Sequence, residues 1–280
     1  HKEARAQYEE ALRLDPKSQP ALMSLGSLDS VEGHYKDAEA RYGAVLKLDP
    51  HNAVAMAALG KLAAVQGNKA EAINRFRQAI AAQPKSAPAY IELVMLYSQN
   101  GQFDDAVSVA KQLADALPDN PAALNALGAA ELNAGRNAAA LPSLEKAVKL
   151  DPESSLYRIN LARAQILNKN AKAAEGNLDE VVKADPANAQ AVTLLAFMKL
   201  QNHDQQGALA LAQSLQKQSD TRVAGLSLEG DLYMAGKAYG KAADAYQQGL
   251  KIQYDRPLVV KSFLSQSSGG ATNPEGVLPG

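Results

Sequence analysis

The side chains from which this 280-residue chain could build a reactive site are few: four histidines, thirty carboxylates, and no cysteine. Without cysteine there is no thiol nucleophile, no disulfide and no thiolate metal site. His1, His34, His51 and His203 stand at the terminus or between apolar-periodic segments, and no two share the spacing that would put paired ligands on one helix face. Glu229 and Asp231 are close in sequence, but two residues on a helix are about 200° apart, so their carboxylates cannot serve one substrate as acid and base. The stretch Gly236-Lys237-Ala238-Tyr239-Gly240-Lys241-Ala242 has some features of a phosphate loop. It holds too few residues between its glycines, and Ala242 stands where a Ser or Thr must reach magnesium. No Gly-x-Ser-x-Gly occurs. The residues therefore predict no active site, no cofactor and no metal within this chain, and point to binding rather than catalysis.

The elements that would position any binding surface are set by a repeat. Pro16, Pro50, Pro84, Pro118, Pro152 and Pro186 follow one another at intervals of 34 residues, and Ala4, Ala38, Ala72, Ala106, Ala140, Ala174, Ala208 and Ala242 keep the same interval. A third register pairs Leu25, Leu59, Leu93, Leu127, Leu161 and Leu195 with a following small residue: Gly26, Gly60, Val94, Gly128, Ala162 and Ala196. This predicts an all-α chain of antiparallel helix pairs, in which the small residue lets the alanine of the second helix approach. Each proline ends a second helix. Two residues later Ser18, Asn52, Ser86, Asn120, Ser154 or Asn188 is placed to cap the next helix. Gly33, Gly67, Gly101 and Gly135 suit the left-handed residue that closes a first helix.

The frame predicts a lone second helix in residues 1–18, seven full repeats (19–52, 53–86, 87–120, 121–154, 155–188, 189–222 and 223–256), and a partial repeat with an irregular tail over 257–280. Neither end offers a polar cap, so the chain reads as a piece of a longer array. The rear is less regular. Asp220 replaces the proline, Arg222 the capping residue, and Lys169, His203 and Lys237 the turn glycines. That is either drift, with Asp220 or Thr221 taking over the cap, or a bend or hinge near 218–224. Glu229 takes a leucine position, which calls for a nearby Arg, Lys or Tyr partner, or else a ligand.

Lys plus Arg (29) nearly balances Asp plus Glu (30), so the charge of -1 gives no pull toward nucleic acid or anionic lipid. No run approaches the ~18 apolar residues of a membrane span.

The series Leu, small residue, Ala, then Tyr8, Tyr42, Phe76 or Tyr246, then Ala11, Ala79 or Ala147, then Pro resembles the tetratricopeptide repeat over nearly the whole chain. The resemblance implies a right-handed α-solenoid superhelix whose first helices line a concave groove for a protein or peptide partner. On that geometry the groove takes Met23, Ser27, Val54, Lys61, Ile91, Met95 and Asn125, then Ile159, Arg163, Phe197, Leu200 and Asp231. The carboxylate clamp that family members use on chaperone tails is absent: its positions hold Ala57, Lys61 and Ala64, or Ile159, Arg163 and Ile166. No chaperone binding of that kind is expected.

The run Leu228-Glu229-Gly230-Asp231-Leu232, with Tyr239, Ala242-Ala243-Asp244-Ala245-Tyr246 and Leu250, is similar to late repeats of the PEP-CTERM/exosortase-system lipoprotein, as is Asn160-Leu161-Ala162-Arg163-Ala164-Gln165. That resemblance implies an extracytoplasmic, periplasmic or outer-envelope scaffold tied to exopolysaccharide production or protein sorting in Gram-negative bacteria. A cytoplasmic adaptor, or the recognition superhelix of a larger enzyme such as a glycosyltransferase, are the alternatives.

Overall fold

The computed structural model describes residues 2–269. His1 and the tail from Gly270, for which solvation and irregularity were expected, lie outside the described residues. A single helix, α1 (Lys2–Leu14), precedes the first pair, α2 (Gln19–Val31) and α3 (Tyr35–Leu48). The pairs α4 (Ala53–Val65) with α5 (Lys69–Ala82), α6 (Ala87–Gln99) with α7 (Phe103–Ala116), and α8 (Pro121–Asn133) with α9 (Asn137–Leu150) follow. These belong to one compact unit, residues 1–151. A second unit, from Pro152 onward, holds α10 (Ser155–Leu167) with α11 (Ala171–Ala184), α12 (Ala189–Gln201) with α13 (Gln205–Gln216), α14 (Arg222–Ala235) with α15 (Tyr239–Ile252), and α16 (Arg256–Ser268). The described residues form an all-α solenoid of antiparallel helix pairs, without strands.

The prolines end the second helices with help from their neighbours. In Asp15-Pro16-Lys17, Asp49-Pro50-His51 and Asp185-Pro186-Ala187 the aspartate oxygen accepts the backbone N–H two residues on, at 3.0, 3.1 and 3.0 Å. Capping departs from expectation at two of six positions. Asn52, Asn120, Ser154 and Asn188 accept the third helical N–H at 2.9 to 3.4 Å. Ser18 and Ser86 make no such bond. Pro20 and Pro88 follow these two serines at the second helical position and remove one of the two N–H groups that a cap can reach.

Each first helix closes on a left-handed residue. Gly33, Gly67, Gly101 and Gly135 have φ of 81°, 77°, 74° and 72°, and Lys169, His203 and Lys237 adopt 61°, 64° and 57° in their place. The irregular rear therefore keeps the turn and accepts the backbone cost.

The small residue after each leucine has a different neighbour from the one expected. A Cβ on Gly26, Gly60, Gly128 or Gly230 would fall 2.6, 2.8, 2.4 or 2.3 Å from Tyr42, Phe76, Leu144 or Tyr246 respectively, and not against the alanine. Where the first residue is larger, the second is often smaller: Val94 shares a core with Ala110, and Ala196 with Ala212. Ala162 shares a core with Leu178, a leucine of the size that meets Gly128. Glycine thus stands wherever a ring lies on the first helix, and a leucine there is met by glycine at Gly128 and by alanine at Ala162.

The junction at 218–224, read as either drift or a hinge, is held by direct contacts. Thr221 Oγ1 donates to the carbonyl of Leu215 at 2.7 Å, capping the end of α13 rather than the start of α14. A Cβ on Gly225 would lie 2.7 Å from the Ala212 carbonyl oxygen, so the two backbones touch there. Ala212 and Leu215 share a core with Leu228 and Leu232. This junction is closely packed without a proline.

Candidate functional site

In the first unit, the first helices α2, α4 and α6 stand side by side and enclose a cleft of roughly 510 Å³. Met23, Ser27, Ser30 and Val31 come from α2; Val54, Ala57, Ala58, Lys61 and Val65 from α4; Pro88, Ala89 and Glu92 from α6. Tyr42, which packs on Gly26, closes the floor. Val31, Val54 and Val65 are 72%, 62% and 65% exposed and line this one cleft together. Lys61 Nζ and Glu92 Oε1 are 2.6 Å apart across the α4–α6 seam. An apolar cleft with a few fixed polar groups can hold an extended or helical segment by area burial and orient it by hydrogen bonds.

The structure brings four of the groove residues expected from sequence, Met23, Ser27, Val54 and Lys61, into this cleft. Ile91 is half-buried against Tyr90, Leu113 and Ala123, and Met95 stands exposed outside the cleft lining. Two residues are corrected to the interior. Asn125 is 9% exposed and its polar groups are engaged, and Ile159 is 2% exposed in a core with Ala162 and Leu178. Phe197 and Leu200 are half-buried against the core of Val192, Ala208 and Leu232. Arg163 donates to Asn160 Oδ1 at 3.5 Å. Asp231 is used internally: Tyr246 Oη donates to it at 2.8 Å and Lys261 Nζ at 2.7 Å. Burial, then the hydrogen bond to Asp231, pushes the Tyr246 hydroxyl well above its ordinary value.

Val31 and Val65 were not among the expected residues. At the same repeat position α6, α8 and α12 carry Gln99, Asn133 and Gln201 while α10 and α14 carry Leu167 and Ala235, so the repeat frame alone gives these valines no distinct signal. Also unread was Asp29, whose carboxylate is 2% exposed between Arg5 Nη2 at 2.8 Å and Arg41 Nε at 2.5 Å. Burial alone would raise its pKa, but the two guanidinium partners outweigh that and hold it below the ordinary carboxylate value. It ties α1, α2 and α3 together. Glu131 is the opposite case: Oε2 is buried with no partner, and burial raises its pKa against the opposing fields of Arg136 and Lys111.

Glu229 finds the partners its position calls for. Gln216 Nε2 donates to it at 2.6 Å, and Tyr233 hydrogen-bonds it from the same helix. The turn at Gly236–Tyr239 joins α14 to α15 through the left-handed Lys237. Among the described residues no three His, Asp or Glu side chains converge as metal ligands, and no helix is long and apolar enough to cross a membrane.

Comparison with known proteins agrees with this architecture. Two models described as tetratricopeptide repeat match, one over residues 31–87 and the other over 66–130 and 131–196. Both describe a repeat and not a catalytic domain. No curated protein sequence matches. Among solved structures, a tetratricopeptide repeat protein from Parabacteroides merdae aligns over 89% of this chain and 99% of its own, with 17% identity and a TM-score of 0.68. A chain of the APC/C hetero-tetramer Cut9–Hcn1 aligns over 82% of this chain and 45% of its own (17% identity, TM-score 0.64). Pseudomonas aeruginosa pilF aligns over 71% and 90% (18% identity, TM-score 0.59). At these identities the likeness is one of fold. With the matched segments running from residue 31 to 196, more than half of the chain, the chain belongs to the tetratricopeptide-repeat family.

Proposed function

We propose that the chain is a non-catalytic interaction scaffold that holds a segment of a partner protein in the cleft between α2, α4 and α6. The observation that carries this reading is the exposed trio Val31, Val54 and Val65 on the walls of one cleft. Apolar side chains on a solenoid surface are stabilised by covering them, and a bound segment does so without disturbing the pairs beneath. The repeat units of the scaffold are taken as 19–52 through 223–256. The test is affinity for a peptide selected on the full chain from a random library. Val54→Asp with Val65→Asp places two carboxylates in the cleft and weakens binding by at least about tenfold at unchanged helicity. Unchanged affinity would remove the cleft from the account.

The finer reading is a scaffold in a bacterial cell-envelope assembly tied to exopolysaccharide production or protein sorting, with the chain in the periplasm or outer envelope. Its support is the similarity of the Leu228–Leu250 and Asn160–Gln165 runs to the exosortase-system lipoprotein. Osmotic-shock release of the native protein is the expected outcome. Recovery in the cytosol would favour a cytoplasmic adaptor instead.

A further inference from the structure

We infer that the Lys61–Glu92 ion pair sets the specificity of the cleft, so that it accepts an uncharged, apolar peptide segment and discriminates against acidic and basic ones alike; this rests on the reading of the cleft as a docking site. The cleft lining has two charged members, Lys61 and Glu92, and their charged atoms are 2.6 Å apart. The remaining wall is apolar side chains with hydroxyl and amide groups, among them Ser27, Ser30 and Gln83. Two opposite charges in contact act on a bound segment as a dipole, whose field is weaker and falls off faster than that of either charge alone. An acidic ligand drawn to Lys61 meets Glu92 beside it, and a basic ligand drawn to Glu92 meets Lys61.

This argument does not depend on the pair being strong. The Lys61 side chain is 56% exposed, and such pairs contribute little to stability. What matters is that the pair bridges α4 and α6, so that neither charge is presented without the other. A ligand that keeps the pair intact loses nothing, whereas a charged one must be desolvated with less compensation than an unopposed partner charge would give. The same reasoning separates this cleft from a carboxylate clamp, which needs several unopposed cations.

The pair also makes a clear experiment possible, because removing either partner exposes the other. A phage-displayed random dodecamer library is selected on the full wild-type chain and on its Glu92→Gln and Lys61→Gln variants, and the net charge of the enriched peptides is compared. The wild type enriches peptides of near-zero charge, Glu92→Gln shifts the pool to acidic peptides, and Lys61→Gln shifts it to basic ones. By fluorescence anisotropy an acidic peptide binds Glu92→Gln about fivefold tighter than wild type. About 1 M salt abolishes that gain. Circular dichroism confirms that both variants fold. Enrichment of the same charge distribution on all three proteins overturns the specificity role while leaving the docking site standing. Enrichment on none of them overturns the docking site and this inference with it.

Discussion

A glycine and the ring lying on it carry much of the packing at the residue scale. Gly60 could gain a Cβ only 2.8 Å from the Phe76 ring, and the pair at Ala162 and Leu178 shows how the same position is filled when the ring is absent. Gly60→Ala is expected to cost roughly 1–3 kcal/mol by overpacking. Adding Phe76→Leu, which recreates the Ala162–Leu178 combination, should recover at least half of that in urea unfolding. Sequence showed the small residue at each of these places. It did not show its partner, because contact across a hairpin depends on helix rotation that spacing alone does not fix, and the invariant alanine was the more conspicuous neighbour. Two carboxylates behave oppositely toward pH. Asp29 is held below its ordinary value by Arg5 and Arg41, so the stability it contributes is complete above about pH 4 and is lost as pH falls through its folded value. Glu131 is raised by burial, so its ionised form opposes folding once pH rises past the ordinary glutamate value, with the full effect above its folded value. At neutral pH Asp29→Asn therefore lowers the melting temperature and Glu131→Gln raises it. Equal responses of the two variants would contradict the assignment.

Between helices, the turns show how far a repeat can drift and still fold. Lys169, His203 and Lys237 hold a left-handed backbone without glycine. Lys237→Gly is expected to stabilise the chain by about 1 kcal/mol in chemical denaturation, since the penalty for a side chain in that region is removed. Gly67→Ala should destabilise it by a similar ~1 kcal/mol, and by backbone strain alone, because a Cβ there meets nothing within 4 Å. These elements were legible because proline, glycine and asparagine punctuate the chain with local rules. The junction after α13 was not, since its order comes from Gly225 meeting the Ala212 backbone and Thr221 reaching Leu215, neither of which follows a repeat rule. The missing proline left drift with a new cap or a hinge open, and Thr221 bonds back to α13 rather than capping α14.

At the scale of the whole chain, the described residues form sixteen helices in two compact units, and the candidate site belongs to the first. The repeat made the all-α solenoid readable from the 34-residue interval alone. The site was readable only in part. Met23, Ser27, Val54 and Lys61 follow from groove positions common to every pair, whereas Val31 and Val65 lie at a helix end where the pairs alternate between apolar and polar residues without a rule. The groove positions of the second unit are taken up by internal packing, as with Ile159, or by ion pairing, as with Asp231 and Lys261. A stack held by nearest-neighbour contacts can vary one stretch of its surface without disturbing another. The central claim is that the α2–α4–α6 cleft receives the partner. Its most direct test is methyl NMR of the full chain with labelled valine and methionine, titrated with a peptide selected on that chain. The account predicts saturable shifts at Val31, Val54, Val65 and Met23, with the α10–α16 methyls unmoved. Shifts confined to the second unit, or to methyls outside the cleft, would contradict it.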